Sequence, residues 1–243
     1  MQTKRKRLYF DIEVSANIVM SWNVGYKLSI GYDNIIKERA IICICYKWED
    51  EKEVHSLQWD KKQCDKKLLQ EFIKVANQAD ELVGHNGDKF DLPWVRTRCL
   101  YHRIDLFPKY VTIDTLKLSR RQFRFNSNRL DYIASYLGIG KKIKTDFNLW
   151  KDIVLNKCDK SMKKMIDYCK QDVKLLEEVH KQLRVHDTAK THFGVAFGQD
   201  RGTCPECGSD ELIVNNRRVT ASGTKYIQYK CKTCGTYHQK LDK

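Results

Sequence analysis

Arg7-Leu8-Tyr9-Phe10-Asp11-Ile12-Glu13-Val14 is the stretch that decides how the rest of the chain is read. Its run of aromatic and branched residues has the composition of a β-strand. Side chains two apart on a strand share a face, so Asp11 and Glu13 point the same way. Two carboxylates on an otherwise apolar strand are costly to bury without partners. A bound cation removes that cost, so the first strand is expected to carry part of a metal site.

Working outward, residues 40–48 and 52–59 read as the next two strands, rich in Ile, Val, Tyr and Trp. Between Asp65 and Asn77 the apolar residues Leu68, Leu69, Phe72, Ile73, Val75 and Ala76 recur at helical spacing. A short strand is expected at 81–83, then a turn at Gly84-His85-Asn86-Gly87. A helix over 91–101 follows, with Pro93 tolerated in its first turn. Val111–Ile113 reads as a strand, with Asp114 as a helix cap. Residues 130–137 read as a helix stopped by Gly138. The strongest helix spans 161–184, where Met165, Cys169, Leu176, Val179 and Leu183 follow a 3.6-residue period. Strands first and then strands alternating with helices give an α/β domain with a mixed sheet. Val14–Arg39, which carries Trp22, Tyr26 and Tyr32, reads as an insertion between the first two strands. It is either a flap over a substrate or a packed loop.

Two further segments bring acids. Asp91 lies near the start of a helix, after His85-Asn86 and Phe90. Tyr168 and Asp172 are four apart on the long helix and share a face beside its apolar stripe. Four converging carboxylates cannot all stay ionised without cations, and an all-oxygen set suits Mg²⁺ or Mn²⁺. Asp11-Ile-Glu13, His85-Asn86-x-x-x-Phe90-Asp91-Leu-Pro and Tyr168-x-x-x-Asp172 together resemble the three motifs of the proofreading-type DEDD exonucleases, over about residues 7–184. The Tyr-x-x-x-Asp form is similar to the tyrosine branch; position 167 is Asp167, not the histidine of the other branch. The resemblance implies a ribonuclease H-like mixed β-sheet flanked by helices, two Mg²⁺ or Mn²⁺ ions and hydrolysis from a 3′ end. By matched position, Asp11, Glu13, Asp91 and Asp172 become metal ligands and Tyr168 orients the attacking water. Asn86, with Phe90 beside it, approaches the substrate strand.

The C-terminal part carries Cys204-Pro-Glu-Cys207-Gly208 and Cys231-Lys-Thr-Cys234-Gly235, with 23 residues between Cys207 and Cys231. Four thiolates in two such pairs make a closed tetrahedral Zn²⁺ site. Strands are expected at 211–214 and 225–229, and a module this small needs a staple to fold. It resembles the zinc ribbons of nucleic-acid machinery. His238 is read as a surface histidine, since four cysteines complete the set. The other six cysteines read as reduced thiols in or near the core. The chain thus divides into a nuclease-like domain at 1–185, a linker at 186–202 and a ribbon at 203–243.

The whole chain of 243 residues carries a net charge of +14, which points to a polyanionic partner. From Lys117 to Lys144 eight Lys and Arg face a single acid, Asp131, with Phe123 and Phe125 interleaved. Arg120, Arg121, Arg124, Lys141, Lys142 and Lys144 are therefore candidate contacts for a single-stranded backbone. In the ribbon, Arg217, Arg218, Tyr226 and Tyr229 either grip nucleic acid or dock a replication or recombination protein. No apolar run is long enough to span a membrane, and the basic start lacks the apolar region of a secretion signal. A cytoplasmic location, or the cytoplasm of a phage-infected host, is expected. Single-stranded DNA is favoured as substrate, with RNA trimming as an alternative. A non-catalytic recruiting module is the reading from a different class.

Overall fold

The computed structural model describes residues 5–25, 27–49, 51–106, 109–143 and 145–242. At its centre a five-stranded sheet runs in the order β5 (His55–Gln58), β4 (Ile41–Trp48), β1 (Arg7–Val14), β6 (Glu81–Gly84) and β7 (Thr112–Asp114). β4 pairs antiparallel with both β1 and β5, while β6 lies parallel to β1 and β7 parallel to β6. β1 and β4 are buried on both faces, which is why they read as near-continuous apolar runs.

The two faces are covered by different helices. Phe10 packs on Phe72 of α1 (Lys66–Ala76), ring centroids 5.4 Å apart, and Tyr46 on the same ring at 6.5 Å. The opposite face carries Arg7, Tyr9, Asp11 and Glu13, and α6 (Asp159–Leu183) lies across it. Tyr9 Oη meets His180 Nδ1 at 2.9 Å, and Lys47 forms a buried ion pair with Glu177. With 25 residues, α6 runs for about 37 Å and packs over β1, β4 and β5. Among the described residues no helix is long and apolar enough to cross a membrane.

Asp65 ties the α1 side of the sheet together. Its carboxylate accepts from Ile41 N at 2.9 Å, from Arg98 Nε at 2.7 Å and from His102 Nε2 at 2.6 Å. It thereby pins the start of α1 to α2 (Asp91–His102) and to β4.

The structure departs from the sequence reading in several places. The strand expected at 52–59 is the shorter β5, and β7 begins one residue later than expected. Asp114 does cap a helix, accepting from Leu116 N and Lys117 N, but that helix, α3 (Thr115–Gln122), was not foreseen. Neither was α5 (Phe147–Val154), which follows α4 (Leu130–Tyr136). Both are two-turn helices, and neither is closed by a glycine as α4 is by Gly138. The insertion forms a projecting arm, not a packed loop. β2 (Ile18–Val19) pairs with β3 (Ile35–Lys37), Trp22 is fully exposed and Tyr32 83% exposed. Tyr26 lies outside the described residues.

The C-terminal module is a three-stranded antiparallel sheet of β8 (Leu212–Val219), β9 (Lys225–Cys231) and β10 (Tyr237–Leu241). The first two are longer than expected and the third was not foreseen. The segment read as a linker contains α7 (Phe193–Ala196), whose Phe193 is buried and donates its N–H to Pro205 O at 2.8 Å. Glu206, between the first two ribbon cysteines, accepts from Arg7 Nη2 at 3.2 Å and from Arg5. Arg7 also donates to Glu81 at 2.6 Å and to Glu49 at 3.1 Å. His238 is not a surface residue: it is half-buried and stacked on Tyr229, centroids 5.6 Å apart.

Candidate active site

The acids meet at the seam of β1 and α6. Asp11, Glu13 and Asp172 each offer a carboxylate oxygen, and these oxygens all lie within 4.8 Å of one another. Period-two geometry supplies the first two, and the buried stripe of α6 supplies the third. A register irregularity falls between Glu13 and Val14, where β1 slips against β4. Such bulges re-aim a side chain at the end of a strand. Asp91 opens α2 and stands beside the trio; its Oδ1 accepts from Ile12 N at 3.1 Å, inside the β1 edge.

The turn that delivers Asp91 is tightly built. Asn86 adopts φ +67°, and a Cβ on Gly84 would come within 3.1 Å of Gly87 Cα. A side chain at either glycine would push the two backbones apart by a few tenths of an ångström. His85 Nε2 faces Asn128 O at 3.0 Å, and since a carbonyl only accepts, this nitrogen carries the proton. Nδ1 then accepts from Thr115 Oγ1 at 2.9 Å. Burial pushes the His85 pKa down to about 4, so the ring is a neutral strut.

Burial and mutual repulsion raise the pKa of every acid in the cluster. Asp11 is raised well above the ordinary value by burial, then by Asp91, Glu13 and Asp172. Glu13 is pushed up to about 8 by burial and Asp172. Asp91 is pushed up to about 7, chiefly by burial, and Asp172 is raised for the same reason. Lys142 answers part of this charge. It forms an ion pair with Asp172, donates to Tyr168 Oη at 3.1 Å and lies 5.1 Å from the centre of the Tyr168 ring. Asp172 Oδ1 is buried with no hydrogen-bond partner among the described residues. A set of oxygen donors, short of positive charge and with an orphaned oxygen, fits hard divalent cations.

The sign of the pH effect follows. A group with a raised folded pKa holds a proton in the folded state that the unfolded state has released. The folded state therefore loses stability as pH rises from the ordinary carboxylate range towards about 8 for Glu13. In chelator, Glu13→Gln is expected to raise the melting temperature over wild type, with a gap that widens across that window. Added Mg²⁺ is expected to stabilise wild type more at the upper end of the window than at the lower. Melting curves at several pH values check both, and a pH-independent gap would exclude a charge origin.

The other candidate contacts are scattered. Lys142, a candidate contact for a single-stranded backbone, sits in the acid cluster. Lys141 is exposed, and Lys144 lies outside the described residues. Arg120 and Arg124 are exposed on and just after α3, while Arg121 is paired with Asp187. Phe90 is 40% exposed immediately before Asp91. Phe123 and Phe125 stack on each other at 5.4 Å and pack against the core, so they are not free to stack on bases.

The second cluster is Cys204, Cys207, Cys231 and Cys234, whose sulfurs also lie within 4.8 Å of one another. Cys204 and Cys234 sulfurs are 3.7 Å apart, and those of Cys207 and Cys231 are 3.6 Å apart. Zn–S bonds near 2.3 Å in a tetrahedron require edges of about 3.8 Å. The knuckle glycines, Gly208 and Gly235, take φ +77° and +76°.

No curated protein sequence matches the chain. Among solved structures it is similar to the family B DNA polymerase from the hyperthermophilic archaeon Pyrobaculum calidifontis. The TM-score is 0.58 at 16% identity, over 75% of this chain and 25% of the polymerase. The chain thus spans about a quarter of that structure's length, and at this identity the likeness is one of fold. Residues 36–184 match the family described as the RNase H superfamily. The matched segment starts after β1, and the β1–β4 pairing places Asp11 and Glu13 within the same sheet. Matched over more than half its length, the chain belongs to the RNase H superfamily.

Proposed function

We propose that the protein is a metal-dependent 3′–5′ exonuclease of the tyrosine-type DEDD group, acting on single-stranded nucleic acid, DNA in preference to RNA. The observation that carries this reading is the meeting of Asp11, Glu13 and Asp172 within 4.8 Å, with Asp91 alongside. Three segments far apart in sequence supply these acids, on a fold shared with a DNA polymerase. Asp11, Glu13, Asp91 and Asp172 would hold two Mg²⁺ or Mn²⁺ ions. Bound there, the pair supplies activation of a water and stabilisation of the leaving 3′ oxygen.

The protein's own groups do the positioning. Burial and the Asp172 charge push the Tyr168 pKa up to about 12, so the phenol keeps its proton. Its oxygen accepts from Lys142, and its hydroxyl hydrogen, on the side of Asp172, would orient a water. The Asn86–Phe90 turn presents its exposed ring at the entrance to α2, where a terminal nucleotide would rest. The net positive charge draws the strand in without reading its sequence.

The four-cysteine cluster is assigned to one structural Zn²⁺, making residues 203–243 a zinc ribbon beside a nuclease domain at 1–185. Arg217 and Arg218 are exposed on β8 and give the ribbon a cationic face for nucleic acid or for a replication protein.

The test is cleavage of 5′-labelled single-stranded DNA and RNA with Mg²⁺ or Mn²⁺, beside a chelator control. A ladder shortening from the 3′ end supports the reading, and the faster substrate decides between DNA and RNA. Binding without cleavage would overturn it in favour of a recruiting module. Tyr168→Phe is expected to lower kcat about 10²-fold with KM nearly unchanged, since only the orientation of water is lost.

A further inference from the structure

Six cysteines lie outside the ribbon, and three of them converge. Cys43 and Cys45 alternate on β4 and therefore face α6 together; Cys169 lies on α6 between Tyr168 and the Asp172 turn. All three are fully buried, all are free thiols, and their sulfurs lie within 4.8 Å of one another. The pairing of β1 with β4 sets Asp11 opposite Cys45 and Glu13 opposite Cys43. The thiols are thus the immediate neighbours of the acids. Cys169 Sγ lies 3.4 Å from Asp11 O and 3.6 Å from Asp11 Oδ2.

We propose that Cys43, Cys45 and Cys169, closed by the Asp11 carboxylate, form a site for a thiophilic divalent cation such as Zn²⁺ or Cd²⁺. The spacing suits one. A tetrahedral ion bound to sulfur near 2.3 Å and to oxygen near 2.0 Å needs a sulfur–oxygen edge of about 3.5 Å, close to the Cys169–Asp11 distance of 3.6 Å. Three soft donors select against Mg²⁺ and for borderline and soft cations. Asp11 is partly exposed and gives the ion its way in, and each thiol releases its proton to solvent on ligation. Seated there, the ion takes Asp11 as its oxygen ligand and withdraws it from the acid cluster. The site therefore inhibits the nuclease. This second half rests on the proposed function, whereas the binding half does not.

The test uses the full chain loaded with one equivalent of Zn²⁺ for the ribbon, with Mg²⁺ and a phosphine reductant present. Cd²⁺ is titrated while thiolate-to-Cd²⁺ charge-transfer absorption and DNA cleavage are both followed. Wild type is expected to bind one more thiolate-ligated Cd²⁺ than the ribbon accounts for, and to lose about 10- to 100-fold in rate. Cys45→Ala combined with Cys169→Ala is expected to lose that equivalent and to keep its rate under the same Cd²⁺. Cys207→Ser combined with Cys234→Ser is expected to lose the other equivalent. If circular dichroism shows the first double variant unfolded, Cys43→Ala alone gives the same reading. A trio variant that titrates like wild type overturns the proposal. Cleavage that is absent without Cd²⁺ refutes the nuclease reading and leaves the absorption result standing.

Discussion

Asp11→Asn is expected to lower the metal-dependent cleavage rate at least about a thousand-fold, on the order of 4 kcal/mol of transition-state stabilisation. Asn keeps the shape and removes the charge, so the loss reports on ion binding and not on packing. Asp11 is the acid with the most neighbours of its own sign: Asp91, Glu13 and Asp172 all press on it. The same substitution is expected to raise the melting temperature in chelator, because a buried charge in a like-charged cluster is a cost to the folded state. Single-turnover rates and chelator-buffered melts measure the two effects. A rate within about tenfold of wild type would remove Asp11 from the catalytic set. A fall in both rate and melting temperature would make it a packing residue.

Chelating the Zn²⁺ proposed for the four-cysteine cluster is expected to have the second large effect. Structural zinc in small modules contributes about 10–16 kcal/mol of apparent binding energy, and this ribbon has few other resources. β8 is exposed along nearly its whole length, and Ile213 and Val214 are each 45% exposed. Chelation, or Cys231→Ser, is expected to abolish amide-exchange protection throughout β8, β9 and β10. The damage also reaches the RNase H-like body. Glu206 sits in the first knuckle and shares Arg5 and Arg7 with Glu49 and Glu81. Losing its placement leaves two largely buried guanidinium groups short of an acceptor, which is costly. The body is therefore expected to melt at a lower temperature as well. Protected ribbon amides surviving in chelator would show that the sheet stands without metal.

Much of this site is legible in the sequence because local periodicity determines it. Asp11 and Glu13 share a face by the two-residue repeat of a strand, and Tyr168 and Asp172 by the four-residue repeat of a helix. Asp91 is marked by the Gly84–Gly87 turn ahead of it. Contacts that depend on packing between distant elements are not legible. Cys43 and Cys45 lie more than a hundred residues from Cys169, and each alone reads as a small core residue. Lys142 reads as one more basic residue in a basic run, and nothing in its neighbours announces the pairing with Asp172. Glu206 looks like a solvated knuckle residue until Arg7, 199 positions away, is laid beside it. Helices α3 and α5 escaped because two turns show little period and, unlike α4 with Gly138, neither ends at a glycine.

That last contact bears on the order in which the protein is made. A ribosome adding about 5–20 residues per second needs about 10–40 s to pass from Arg7 to Glu206, 199 positions apart. Through that interval β1 can pair with β4 and β6, yet its first arginine lacks one of its three carboxylate partners. The nascent sheet is thus weakest at the start of its central strand. The RNase H-like body gains the third acceptor for Arg7 only when residue 206 has been added.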